Sequence, residues 1–311
     1  MSEHAATPAY SSEERIMGAI SHAGIILAAT GLIAPIIVWI TQREKSRFAR
    51  FQALQALAYQ LGKSFIYLAA LLLAFILTFG LIAIEFLKGN PVSRTATPDL
   101  YIFTQVLGLI ILFSTMALVI LLGLIGSIAC LAGKDFHYPL LGKWIQTYLD
   151  NTVENGAQED TNEPNLREDQ LIAVLSHAGF LIPFWGVIVP VILWFSEKNR
   201  SALLRFQSLQ AAIFQLTSIF LIYFSFGCYV LSVFVPALIS NANYNLALTL
   251  VEIGSNIINL MFLIGGPLYL LFGCIAVWRV SKGYDYRYPL LGKLTKKLLN
   301  HKQNAQSITI S

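Results

Sequence analysis

Residues 64–87 read SFIYLAALLLAFILTFGLIAIEFL, a run of 24 positions in which Glu85 is the one charge. As a helix this run is about 36 Å long, more than the roughly 30 Å hydrocarbon core of a bilayer. Three more stretches share its character: Leu100 to Gly133, Ala212 to Ser240, and Leu246 to Val280, the last carrying Glu252 and, at its end, Arg279. Across all 311 residues 56% are hydrophobic and 12% charged, and the mean hydropathy is +0.64. Water is therefore not the main solvent of this chain, and the composition predicts an all-α integral membrane protein, not a soluble enzyme.

The sequence also repeats itself. Ser21-His22-Ala23-Gly24 returns as Ser176-His177-Ala178-Gly179, and without a gap Gly31, Pro35 and Trp39 return as Gly186, Pro190 and Trp194. In the same register Arg50-Phe51-Gln52, Leu54-Gln55-Ala56 and Gln60 match Arg205-Phe206-Gln207, Leu209-Gln210-Ala211 and Gln215. After a slip of five residues, Tyr138-Pro139-Leu140-Leu141-Gly142-Lys143 becomes Tyr288-Pro289-Leu290-Leu291-Gly292-Lys293. This is a tandem duplication. The predicted organisation is a polar N-terminus (1–15), a first membrane repeat (16–149), an acidic linker (150–169), a second membrane repeat (170–300) and a polar tail (301–311). The N-terminus carries Glu3, Glu13 and Glu14 and lacks the basic region of a secretory signal, so no cleavage is expected.

Each repeat begins with an apolar segment (18–40 and 171–195) broken by Gly31 and Pro35, or by Pro183, Gly186 and Pro190. One interpretation is a kinked crossing helix; the other is a segment that enters and leaves on one face. Lysine and arginine collect on the cytoplasmic side of membrane proteins. If both segments cross, the copies are inverted and the basic residues divide 7 to 13; if both return, 18 share one face against Lys88 and Arg94. The second split favours four full crossings with both termini and the linker in the cytoplasm, in a multi-pass protein of the cytoplasmic membrane. Beyond the last crossing of each copy, apolar residues recur at helical spacing. They are Leu140, Leu141, Trp144, Ile145, Tyr148 and Leu149 in copy one, and Leu290, Leu291, Leu294 and Leu298 beside Lys293, Lys296 and Lys297 in copy two. These predict amphipathic tails on the membrane surface, opened by Pro139 and Pro289 and drawn to anionic lipid.

The heptapeptides Arg50-Phe51-Gln52-Ala53-Leu54-Gln55-Ala56 and Arg205-Phe206-Gln207-Ser208-Leu209-Gln210-Ala211 resemble the Arg-Phe-Asn-x-x-Gln-Ala signature of the Tic-twenty-like family, with glutamine at the signature asparagine. The best-known member of that family is a chloroplast inner-envelope translocon subunit, and the Ser-His and Tyr-Pro-Leu motifs resemble its bacterial relatives. The resemblance implies four crossings per unit, both ends on one side, and a part in translocation.

On their own chemistry, Arg50 and Arg205 stand where a basic loop becomes a membrane helix, suited to lipid phosphate, with Phe51 or Phe206 entering the hydrocarbon. Gln52 and Gln55 share a helix face, as do Gln207 and Gln210, and in lipid such amides seek partners across helices. With His22 and His177 they make a candidate polar seam, either structural glue or a path. Lys63 and the stripe Glu252, Asn256 and Asn259 break the symmetry between copies, their counterparts being Ser218 and Ile102, Val106 and Leu109. Lys63 either snorkels to the interface or serves function, and Glu252 presents the same choice.

Neither His22 nor His177 has a second ligand at metal spacing, Cys130, Cys228 and Cys274 lie inside apolar helices, and no catalytic motif appears. No cofactor, metal, catalytic residue or nucleic acid is expected. The expected partners are the bilayer, anionic lipid, and a membrane protein or a second copy of the chain. Two functions stay open: a transport or channel-like component with a site between pseudo-symmetric halves, and a non-transporting scaffold.

Overall fold

A computed structural model describes residues 10–87, 98–150, 166–199, 201–239 and 244–308. Most of the linker, Lys88 and Arg94 lie outside them. Among the described residues 86% are helical and there is no strand. The chain divides into two compact units, Met1–Thr147 and Tyr148–Ser311.

Unit 1 opens with helix α1, Ser12–Ala23. Its start is fixed by a capping box: the Ser11 hydroxyl accepts from the Glu14 amide and the Glu14 carboxylate accepts from the Ser11 amide. The chain then turns through two short 3₁₀ stretches, Gly24–Leu27 and Thr30–Leu32, and returns as α2, Ile33–Gln42. Helices of 12 and 10 residues are about 18 and 15 Å long, each half a hydrocarbon core. They fold back on one another as a hairpin, and glycine is what permits it. A Cβ on Gly31 would lie 1.8 Å from the Gly24 carbonyl oxygen, and one on Gly24 would lie 2.6 Å from that of Gly31. Pro35 is not a mid-helix kink. It occupies the first turn of α2, where its missing N–H has no partner to lose.

Two long helices follow, α3 (Arg47–Leu87) and α4 (Pro98–Leu131). Ser46 caps α3, its hydroxyl accepting from the Ala49 amide and donating to Glu14 of α1. Helix α4 ends in a Schellman motif, with Gly133 at φ +72° and its amide on the Cys130 carbonyl while the Lys134 amide reaches Ala129. The final helix, α5, spans Leu141–Asp150.

Unit 2 repeats the plan. Helix α6 (Leu166–Ala178), a glycine turn and α7 (Ile188–Glu197) form the hairpin. A Gly186 Cβ would lie 1.7 Å from the Gly179 oxygen. Then come α8 (Ala202–Ile239), capped by Ser201, and a last crossing made of α9 (Tyr244–Leu260), a π-turn at Met261–Gly265, and α10 (Gly266–Ser281). The π-turn precedes Pro267, and the Gly266 amide bonds back five residues to Met261, which carries the helix past a residue that cannot donate. Gly283, at φ +82°, closes α10 as Gly133 closes α4, and α11 (Leu291–Ile308) ends the unit.

Four helices are long and apolar enough to cross a membrane, within Arg47–Leu81, Ile102–Leu131, Ala202–Leu238 and Tyr244–Ser281. Little of their most apolar windows is buried inside the protein, so the exposed Leu71, Ile76, Phe113, Phe220 and Phe234 form the surface that lipid covers. The tail helices begin at Leu141 and Leu291, two residues later than the prolines expected to open them. Leu140 and Leu290 lie at φ +67° and +65°, a backbone conformation no α-helix includes, so the chain turns before each helix starts. Ile145 and Leu149 of α5 are buried, whereas α11 leaves Leu294 and Leu298 exposed beside its lysines.

Candidate functional site

The polar residues singled out from sequence gather into two clusters, one in each unit. In unit 1 the hairpin brings His22, at the end of α1, against Gln52 on the second turn of α3; both are almost fully buried. The loop after α4 closes over them. Gln52 Nε2 donates to Asp135 Oδ1 at 2.9 Å and to the Phe136 carbonyl at 3.1 Å. Both groups only accept, so the amide oxygen must face the histidine. It follows that His22 Nε2 carries the proton and donates to Gln52 Oε1 at 2.9 Å, leaving Nδ1 to accept from the Tyr138 hydroxyl at 2.9 Å. Gln55 donates to Gln52 Oε1 and to the Phe136 carbonyl, and its own oxygen accepts from the Tyr138 amide at 3.2 Å.

Unit 2 reproduces these bonds. His177 contacts Gln207 at 2.9 Å and Tyr288 at 3.1 Å, and Gln207 donates to Asp285 at 3.0 Å. Gln210 donates to the Tyr286 carbonyl and accepts from the Tyr288 amide. Burial dominates the electrostatics: it pushes the pKa of both imidazoles down to about 4 and outweighs the opposing glutamine bonds. Burial also raises the Tyr138 and Tyr288 phenols far above their ordinary value. The histidines and tyrosines of the clusters are therefore neutral at physiological pH. Among the described residues no group of histidine, cysteine and carboxylate side chains could hold a metal ion.

Sequence reasoning missed three pairs. Asp135 and Asp285 carry the acceptor that orients each glutamine, and they sit in the register of the Tyr-Pro motif, three residues before it. Tyr138 and Tyr288 were visible as a repeat without a role. Gln60 and Gln215 bond the Ser21 and Ser176 carbonyls at 3.1 and 3.3 Å, beside the crossing glycines, and so pin each hairpin to its long helix.

The remaining candidates lie elsewhere. Arg50 and Arg205 are half-buried in the first turns of α3 and α8. Phe51 does not enter the hydrocarbon as expected; it is buried, its ring 4.9 Å from that of His137, and Phe206 lies under the Arg287 guanidinium. In both units the loop after the last crossing offers that ring a denser contact than lipid tails. Lys63 is directed into the hairpin of its own unit. It is buried, and its ammonium donates to the Ala28 carbonyl in the hairpin turn at 3.1 Å. Glu252, Asn256 and Asn259 are exposed on α9, on the side opposite Gly254, where α9 meets Ser232 of α8.

The repeated unit has a known counterpart. The family model described as magnetosome magnetite crystal formation protein, MamF/MmsF, matches residues 13–145 and again residues 168–295. The chain belongs to the MamF/MmsF family. Each match covers one hairpin, one pair of crossing helices and one closing loop, so this chain holds two MamF/MmsF units in tandem. Comparison with curated proteins found no match, and comparison with solved structures found none. The match replaces the Tic-twenty-like assignment drawn from the Arg-Phe-Gln heptapeptides. Gln52 and Gln55 bind a histidine, an aspartate and backbone groups, so the heptapeptide fastens a hairpin to a membrane helix.

Proposed function

We propose that this MamF/MmsF chain is a non-enzymatic membrane scaffold that takes part in magnetite crystal formation at the magnetosome membrane, with both termini and the linker on the cytoplasmic face. The observation that carries this reading is the closure of the two clusters. Every side-chain nitrogen and oxygen of His22, Gln52 and Gln55 is hydrogen-bonded within unit 1, and the same holds for His177, Gln207 and Gln210 in unit 2. A conduit needs polar groups that exchange their partners with a passing ion. These six hold hairpins in place, which supports the scaffold over the transport reading. The family description supplies the magnetite role. The orientation is supported by hairpins that return to the face they left and by the 18-to-2 division of basic residues. Exposed Leu294 and Leu298 beside Lys293, Lys296 and Lys297 suit α11 to an anionic leaflet.

Reconstitution into proteoliposomes tests the function. Ferrous iron and proton flux should equal that of protein-free vesicles, while loss of the gene in a magnetite-forming cell should alter crystal size with iron uptake unchanged. Flux above the empty-vesicle level would overturn the scaffold and restore transport. Single cysteines at Lys45, Ala202 and Asn300 should all react from the cytoplasmic side.

A further inference from the structure

On α9, Asn245, Thr249, Glu252, Asn256 and Asn259 follow one another at spacings of four, three, four and three residues, and all five are exposed. The register of the helix pair sets their depth. Gly254 meets Ser232 on the antiparallel α8, so Glu252, Asn256 and Asn259 lie about level with Phe234, Leu231 and Phe226 of α8, which are also exposed and wholly apolar. Those neighbours face hydrocarbon, where a carboxylate and two carboxamides without partners are costly. The same face of unit 1 carries Ile102, Val106 and Leu109, exposed and suited to lipid as they stand.

We propose that this stripe is the contact between two copies of the chain, paired in parallel through α9 about an axis along the membrane normal. Three observations select a second copy as the occupant. The spacing is the 3.5-residue repeat that keeps one seam of two helices in register as a left-handed pair. In a parallel two-fold pair each residue at the seam meets its own counterpart, and a carboxamide both donates and accepts, so Asn256 with Asn256 and Asn259 with Asn259 satisfy each other at matched depth; the two like-charged Glu252 carboxylates repel, so the seam closes at the asparagines and not at Glu252. The equivalent face of unit 1 has no donor or acceptor among Ile102, Val106 and Leu109, so it cannot complement the stripe. The inference is independent of the magnetite role.

The test is disulfide scanning of the full chain in native membranes, with Cys130, Cys228 and Cys274 replaced by alanine. Single cysteines at Asn256 and Asn259 should form interchain disulfides at least ten-fold faster than cysteines at Ile253 or Val106, since identical positions in a parallel seam bring their Cβ atoms to bonding range. In a chain with its natural cysteines, N256L/N259L should still insert at full length but lose co-purification of a second, differently tagged copy. E252Q should keep the pair. Equal crosslinking at every exposed position, a single-chain mass in nanodiscs, or reaction of the Asn256 and Asn259 cysteines with a membrane-impermeant maleimide would overturn the proposal, the last by making the stripe a water path.

Discussion

The two units share a plan and differ in how they enforce it. Both stack an aromatic ring of the long helix on the tyrosine of the closing loop: Tyr59 on Tyr138 at 3.9 Å in unit 1, Phe214 on Tyr288 at 4.1 Å in unit 2. The hydroxyl absent from Phe214 reappears across the stack. Tyr59 donates to the Val119 carbonyl in unit 1, whereas in unit 2 the position of Val119 is Tyr269, which donates to the Phe180 carbonyl. The hairpin turns diverge in the same way. Unit 1 holds Ala28 at φ +51° with the Lys63 ammonium on its carbonyl, while unit 2 holds Phe184 at φ +65° directly after Pro183, whose ring fixes the preceding backbone. Ser218, in the place of Lys63, bonds only its own helix. What stays constant is the fastening of hairpin to long helix by histidine, glutamine, aspartate and tyrosine. What varies is the tip of the hairpin and the outward face of the last crossing.

If the glycine crossing is the common requirement, breaking it should damage either unit equally, and this is the largest effect expected. Gly31→Ala and Gly186→Ala each place a methyl group within 2 Å of a facing backbone carbonyl, which no side-chain movement relieves. Each should cost its unit about 3 kcal/mol or more. Gly62→Ala and Gly227→Ala are the controls: nothing lies within 4 Å of the added atom, both sites are helical, and stability should rise by up to ~1 kcal/mol. Hydrogen exchange read separately over α1 and α6 distinguishes the units.

The histidines should also behave alike. Burial lowers both pKa values from 6.5 to about 4, so between those values the unfolded chain binds a proton that the folded chain refuses. Stability therefore rises with pH across that window. The full contribution is present above pH 6.5 and is lost as the pH falls toward 4, by about 3 kcal/mol for each histidine. His22→Gln should flatten the pH dependence of unit 1 and leave that of unit 2 intact. A unit whose protection is unchanged from pH 7 to pH 4.5 would mean its histidine is hydrated, not enclosed.

Much of this was legible in the sequence because it depends on local composition. The four crossings follow from apolar length, the duplication from the offset between Ser21-His22 and Ser176-His177, and the hairpins from Gly31, Pro35, Gly186 and Pro190 together with the placement of basic residues. The partners were not legible. His22 meets Tyr138 across 116 residues and Gln52 meets Asp135 across 83, and no periodicity encodes such pairings. Nor could the sequence say which way Glu252 faces. That follows from Gly254 packing against Ser232, a contact between helices. Asp135 and Asp285 were within reach, needing only that the 150-residue register be followed three residues upstream of Tyr138.

The sharpest test of the difference between the units is its smallest expected effect, at the hairpin tips. Lys63→Met keeps the length and apolar stem of the side chain but removes the donor, leaving the Ala28 carbonyl in a turn with no helix to satisfy it. Unit 1 should lose about 1–3 kcal/mol, while Ser218→Ala at the matching position of unit 2 should fall within ~0.5 kcal/mol of wild type, because that hydroxyl bonds a carbonyl its own helix already occupies. Pro183→Ala should do the reverse. Unit 2 should lose about 0.5–1 kcal/mol as the unfolded turn gains freedom, and unit 1 should not respond. Opening rates of the two hairpins by hydrogen exchange would report both. If Lys63→Met leaves unit 1 unchanged, the ammonium is not what holds the turn, and the asymmetry between a clamped tip and a proline-set tip has to be sought in the side chains flanking Ala28 and Phe184 instead.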